Sequence, residues 1–420
     1  MKPVLTASLL VTLTLALALE GRAGELPLAK PAEVGLSSQK LEAVKKVVQE
    51  AVDKNQTAGV LVLVARHGKV VMLESFGNMD IEAKKAMRPD AIFRIYSMTK
   101  PVTSAAAMVL YDEGRFKLDD PVAQYLPELK DLRVHAGKGD ETVEVKRAVT
   151  IRDLLRHTSG LTYGFISSTP VDMLYRSNKI GDASETLAEF VGKLGKLPLL
   201  YQPGTHFNYS YSTDVLARLV EVASGKSFDE FLQERIFKPL DMKDTGFFVP
   251  DDKIDRFAAT YGPGENGQLK VTDGPATSPY RKQRKFLSGG GGLVSTARDY
   301  LRFSQMLLNG GELDGKRLLR KETVQEMTKN QLPAEALPIT LANFPMPGVG
   351  FGLGFSVRLD TNSEKPAPYA GEYGWSGAAS THFWICPRQD FIVIVMQQYM
   401  PFSLRMELAL KPLIYAAIEE

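Results

Sequence analysis

The strand-like runs of this 420-residue chain lie near its two ends, and that placement constrains its architecture more than any other feature. Near the N-terminus, residues 60–65 and 69–76 are apolar or alternating runs joined by His67 and Gly68. They predict an antiparallel hairpin whose first strand is apolar enough to be buried on both faces. Toward the C-terminus, residues 381–386 and 391–396 predict a second hairpin around 387–390. Between the two the period becomes helical. Helices are predicted over 102–113, 150–156, 212–223, 227–237 and 296–308, with capping signals at Thr150/Asp153 and Ser227/Glu230 and stops at Gly225 and Asn309-Gly310-Gly311. Two more belong with the sheet. One opens at Ser37 or Ser38 and carries Leu41, Val44, Val48 and Val52 on one stripe; the other closes the chain with Leu404, Leu408, Ile414 and Ala417. Strands at both ends of a helical middle predict an α+β fold. An antiparallel sheet flanked by helices draws on 25–99 and 330–420, and a mainly helical domain spans 100–329.

Composition narrows the function classes. With 44% hydrophobic and 24% charged residues the chain is globular rather than disordered. Its 51 basic and 49 acidic residues leave a net charge of +2, too little for phosphate-backbone attraction, so no nucleic-acid partner is expected. The single cysteine, Cys386, supplies neither a disulfide nor a thiolate metal site, and the five histidines (67, 135, 157, 206, 382) form no HExxH pair. No metal and no cofactor are expected. Residues 4–19 are almost unbroken Leu, Ala, Val and Thr behind Lys2, with small residues at Gly21, Ala23 and Gly24. This pattern predicts a signal peptide over 1–24 and export to the periplasm or medium, with a retained N-terminal anchor as the competing reading. No later run approaches the roughly 18 apolar residues of a membrane helix, so the mature form is expected to lack a stable span. Nothing in the sequence fixes an oligomeric state.

For chemistry, Gly374-Trp375-Ser376-Gly377-Ala378 is the nearest approach to a nucleophile elbow. A strand-like segment follows it where a helix is required, and the only downstream histidine, His382, is expected to be too near in sequence to fold back onto Ser376. Ser97-Met98-Thr99-Lys100 offers another route, because positions i and i+3 share a helix face and bring an amine within reach of a hydroxyl. Ser37-Ser38-Gln39-Lys40 has the same spacing, but there the serine is better explained as a helix cap. Ser97 follows strand-like 92–96 and opens a helix with Val102, Ala105, Ala106 and Val109 on its apolar side. Pro101 lies in the first turn, where a missing N–H costs little. That N-terminus also directs backbone N–H groups and positive dipole potential at Ser97. The plainer alternative is a surface cap with a solvated lysine. The Gly-rich run 288–292 lacks the ending of a phosphate loop and is read as either a wall of the site or a simple turn.

On these residues the sequence resembles the serine β-lactamase and penicillin-binding-protein superfamily, in its class C-like branch, and above all the family VIII carboxylesterases. The resemblance covers nearly the whole mature chain, through Ser97-Met98-Thr99-Lys100, residues 149–161 (including Arg156-His157-Thr158-Ser159-Gly160-Leu161) and residues 240–247. It implies a β-lactamase/transpeptidase-like fold with the active site between the sheet and the helical domain. The family's Tyr-x-Asn motif falls on Tyr209-Ser210-Tyr211, after Pro203-Gly204-Thr205, with the Asn replaced as in esterase members. Its Lys-Thr-Gly motif is matched by Trp375-Ser376-Gly377, without the lysine. The resemblance implies Ser97, Lys100 and Tyr209 as catalytic residues. It implies the backbone N–H groups of Ser97 and Ala378 as the oxyanion hole, and Tyr211, Trp375, Ser376 and Gly377 against the substrate.

An indole in place of the lysine ammonium offers a penicillin carboxylate only apolar surface and one donor. The expected activity is therefore a serine carboxylesterase acting on small, neutral, short-chain esters through an acyl-enzyme, with at most weak β-lactam hydrolysis. Tyr209, held near the Lys100 ammonium, is expected to reach phenolate at mildly alkaline pH, and either group takes the Ser97 proton. Tyr201, Phe207, Tyr211 and Phe247 are candidates to line an apolar pocket, or simply core. Three rivals stand beside this reading: a class C-like β-lactamase or DD-peptidase, acyl transfer to an alcohol, and a non-catalytic module that senses acyl ligands. Retention of Ser97, Lys100 and Tyr209 together argues against the last.

Overall fold

The computed structural model describes residues 26–139, 141–341, 344–359 and 369–419, so the signal-peptide segment expected over 1–24 lies outside the described residues. The two hairpins become the centre of an eight-stranded antiparallel sheet. Its strands are β1 (Gly59–Arg66), β2 (Lys69–Asp80), β3 (Lys85–Ala86), β4 (Val349–Phe351), β5 (Ser356–Arg358), β6 (Tyr373–Gly377), β7 (Thr381–Cys386) and β8 (Phe391–Gln397), in the spatial order β4-β5-β6-β7-β8-β1-β2-β3. The ends of the chain meet where β1 pairs with β8, Leu63 opposite Ile394. β1 is apolar throughout because both its faces are covered. Leu61 and Leu63 enter one core and Val60, Val62 and Val64 the other, the alternation a strand imposes.

The valine face lies under α1 (Ser38–Asp53) and the closing helix Arg405–Ala416, which pack together. The Ser37 hydroxyl caps α1 by accepting from the Lys40 amide. Its buried stripe is Leu41, Val44, Val48 and Ala51, with Val52 only partly covered. The closing helix buries Met406, Leu410 and Ile414, four residues apart, so Leu404 and Leu408 fall off the stripe and Leu408 is 66% exposed.

On the opposite face, one continuous core joins Leu61, Leu63, Ile394 and Met396 to α2 (Thr99–Asp112) and on to α3 (Ser212–Ser224). α2 is buried from Thr99 to Leu110, which its run of alanines permits. Two features depart from the expected partition of the chain. α4 (Ala297–Leu308), assigned by its periodicity to the helical domain, packs on β8, with Tyr300 edge-on to Phe383 at 4.8 Å. The middle also carries its own strands, including the hairpin Thr260–Pro263 with Leu269–Asp273. Sheet-associated structure therefore starts before residue 330. Among the described residues no helix is long and apolar enough to cross a membrane.

Candidate active site

Ser97 lies in a single turn of 3-10 helix, Tyr96–Met98, that runs directly into α2. Tyr96 adopts φ 41°, a costly conformation for a residue with a large side chain, and so marks a locally constrained turn beside the serine. Lys100, one turn on, reaches back: its Nζ donates to Ser97 Oγ at 3.2 Å and to the Gly290 carbonyl at 2.6 Å. The ammonium end lies 4.4 Å from the centre of the Tyr209 ring and 5.1 Å from that of Tyr163. Lys100 is 1% exposed, and among the described residues no carboxylate forms an ion pair with it. Burial therefore dominates and lowers its pKa to about 7, while the charge of Asp214 acts in the opposite sense.

The Tyr209 hydroxyl accepts from the Trp375 indole N–H at 3.0 Å. Its pKa moves against the expectation from sequence. Burial raises it well above the ordinary phenol value, and the influence of the Ser97 hydroxyl and the Trp375 donor offsets only part of that rise. The expectation assumed a lysine ammonium beside the phenol. A buried Lys100 with a pKa near 7 is largely neutral at mildly alkaline pH, and a neutral amine does not stabilise a phenolate.

The Gly-rich segment 288–292 is a wall of this site. The Gly289 carbonyl accepts from Thr103 Oγ1 at 2.7 Å, and the Leu293 amide donates to Thr99 Oγ1 at 3.2 Å. Asp214, in the first turn of α3, holds the segment from behind: its Oδ1 accepts from Ser288 Oγ at 2.6 Å and from the Gly290 amide at 3.0 Å. It is fully buried, its Oδ2 has no hydrogen-bond partner among the described residues, and burial raises its pKa. A Cβ on Gly290 would lie 2.5 Å from Asp214 Oδ2 and 2.6 Å from the Tyr163 hydroxyl, so this approach requires glycine. Sequence reasoning missed Asp214 and Tyr163 as parts of the site, although it read the run that holds Gly290 as a possible wall. An aspartate in a first helical turn reads as a dipole partner, and these contacts join segments 74 or more residues apart.

Aromatic rings complete the enclosure. Buried His157, which desolvation keeps neutral, lies 4.9 Å from the Tyr209 ring, and Phe207, Phe351 and Trp375 extend the group. Of the other candidate pocket residues, Tyr201 stacks on His206 and Phe247 packs on Phe228. Gly377 presses against the Ile95 carbonyl, leaving no room for a side chain and bringing the β6 end, where Ala378 follows, to the Ser97 turn.

Two expected substrate contacts are placed differently. Tyr211 packs among Tyr163, Tyr175 and Phe190, and its hydroxyl donates to the Ile180 carbonyl at 2.8 Å. The Tyr163 ring contacts both Tyr209 and Tyr211, so Tyr211 braces the site from behind, where a large ring finds apolar surroundings that an amide would not. Ser376 follows Trp375 on β6, and strand alternation turns it to the face of α1 and the closing helix. There its hydroxyl meets His382 Nδ1 at 2.9 Å. The β6–β7 hairpin places the two residues directly opposite each other, so His382 does reach Ser376, contrary to expectation. The same nitrogen lies 3.0 Å from Glu407 Oε2, and Nε2 faces the Ser403 carbonyl at 3.2 Å. With one nitrogen shared by serine and carboxylate, this group lacks the relay geometry of a catalytic triad.

A family profile described as Beta-lactamase matches residues 44–412. An uncharacterized protein of Mycobacterium tuberculosis is 37% identical over 370 residues, covering 86% of this chain and 90% of its own. Esterase EstB of Burkholderia gladioli is 29% identical over 407 residues, 92% of this chain and 98% of its own. Among solved structures, EstCE1, described as a hydrolase with promiscuous acyltransferase activity, superposes with a TM-score of 0.75 at 26% identity, covering 90% of this chain and 98% of its own. The fold expected from the resemblance is the fold observed.

Proposed function

The chain belongs to the beta-lactamase family, and from that premise we propose that it is a serine hydrolase of carboxylic esters with Ser97 as nucleophile. The observation that carries this reading is the 3.2 Å contact between Lys100 Nζ and Ser97 Oγ, made by an amine that burial lowers to a pKa of about 7. Similarity along nearly the whole chain to proteins named as an esterase and a hydrolase supports it. In the cycle, Ser97 Oγ attacks the ester carbonyl while its proton passes to the Lys100 amine. The backbone N–H groups of Ser97 and Ala378 receive the oxyanion. The bond to the alcohol oxygen then breaks, and the ammonium returns the proton to the leaving alkoxide, directly or through the Tyr209 hydroxyl. Water attacks the acyl-serine with the Lys100 amine again as base; the acyl bond to Ser97 Oγ breaks, that oxygen takes the proton back from the ammonium, and the acid leaves. Tyr209 stays protonated throughout, as donor and relay.

The Trp375 ring stands where the resembling family carries a lysine, and its one donor is already bonded to Tyr209. The substrate group bound there is uncharged, which favours short-chain esters over β-lactams and leaves weak β-lactam turnover as a side activity. Export to the periplasm or medium belongs to the same proposal and rests on the composition of residues 1–24. A fluorophosphonate probe followed by peptide mass mapping tests the assignment. The expected adduct is on Ser97, and Ser97→Ala is expected to lower turnover of a p-nitrophenyl ester by about a thousandfold or more. An adduct on another side chain, or retained turnover, overturns it.

A further inference from the structure

The segment that leads into the Gly-rich wall is Arg281-Lys282-Gln283-Arg284-Lys285, four cations in five residues. Its members differ in what they meet. Arg281 pairs with Asp251 at 2.7 Å and Gln283 donates to Asp229 at 2.5 Å, both on the exposed side. Arg284 is half-buried, its guanidinium carbon 5.0 Å from the centre of the Tyr280 ring, and among the described residues no carboxylate pairs with it. Asp273, whose charge acts on Tyr280 and Tyr96 together with that of Arg284, is itself bound to buried Arg94 at 2.6 Å.

The Tyr280 platform beneath Arg284 is tied to the site. Its hydroxyl donates to the Gly291 carbonyl at 3.3 Å, and its ring meets that of Tyr96 edge-on at 6.4 Å. Gly291 follows the residue that holds Lys100, and Tyr96 precedes the nucleophile. A partly desolvated guanidinium that lies over an aromatic ring retains its donors for a carboxylate, the partner its fork geometry suits best. We propose that Arg284 binds an anionic group carried by the substrate away from its scissile carbonyl, so that the preferred esters are half-esters of dicarboxylic acids. This rests on the esterase reading and is compatible with an uncharged group at Trp375, because Arg284 lies on the segment ahead of the Gly-rich wall and Trp375 on β6.

The test compares two esters of equal acyl length, mono-p-nitrophenyl glutarate and p-nitrophenyl valerate, in the wild-type protein, Arg284→Gln and Arg284→Lys. The expected wild-type ratio of kcat/KM, glutarate over valerate, is about tenfold or more, as for a charge-assisted hydrogen bond. It should collapse toward unity in Arg284→Gln, persist in part in Arg284→Lys, and fall with rising ionic strength. A wild-type ratio of one or less, or a ratio in Arg284→Gln within about twofold of wild type, overturns the proposal. Turnover of both esters without charge preference counts against Arg284 alone. Turnover of neither overturns the esterase reading and this proposal with it.

Discussion

The Trp375 indole N–H donates to the Tyr209 hydroxyl across 3.0 Å, joining β6 to the loop ahead of α3 beside Lys100. An indole only donates, so Tyr209 accepts on that side and its own proton is directed elsewhere.

Trp375→Phe keeps the ring and removes the donor. The expected result is a loss of about three- to thirtyfold in kcat with a smaller change in KM, since one buried hydrogen bond orients a group that acts in the reaction. Trp375→Lys should instead move the ratio of nitrocefin to ester turnover upward. Steady-state kinetics on both variants read these effects, and an unchanged ratio in the lysine variant would show that the indole does not set the preference.

Activity should follow the protonation of Lys100. The amine must be neutral to accept the Ser97 proton, and its pKa is about 7, so kcat/KM should climb with pH below that value and level off above it. A rate that keeps climbing above pH 10 would instead identify a Tyr209 phenolate as the base.

Asp214→Asn separates the electrostatic part of the wall from its mechanical part. The amide oxygen still accepts from Ser288 and Gly290, but the negative charge that raises the Lys100 pKa is gone. The Lys100 pKa then falls, and the acid limb of the rate profile should shift to lower pH. A limb that stays in place or moves to higher pH would sever the link between these two residues.

Ser376→Ala removes a hydroxyl that faces His382 on the far side of the sheet. Ester turnover should remain within about threefold of wild type, while chemical denaturation shows a loss of about 1 kcal/mol. Abolished turnover in a folded variant would reinstate this serine as a nucleophile.

The parts of the site legible in the sequence are those whose geometry is local. Ser97 and Lys100 meet because a helix brings i and i+3 together, and both hairpins were readable from their apolar runs. Ser376 was misplaced although the sequence carried the signal, since neighbours on a strand face opposite ways and Trp375 takes the inner side. Tyr211 followed a motif position rather than its own chemistry. A second tyrosine there packs with Tyr163, Tyr175 and Phe190, none of which is close to it in sequence. Asp214 and the lowered pKa of Lys100 depend on burial and on a contact between α3 and the Gly-rich wall, and no local pattern encodes either.

Because α2 bears Lys100 at the end that adjoins the Ser97 turn and is enclosed along the rest of its length, it is at once keystone and tool. Heating that loosens the interior should silence the enzyme at the same temperature at which it melts, with no inactive but intact stage in between. Diversification of what such a protein cleaves is then left to the segments that touch α2 only at its tip, and the helix itself has almost no latitude to drift.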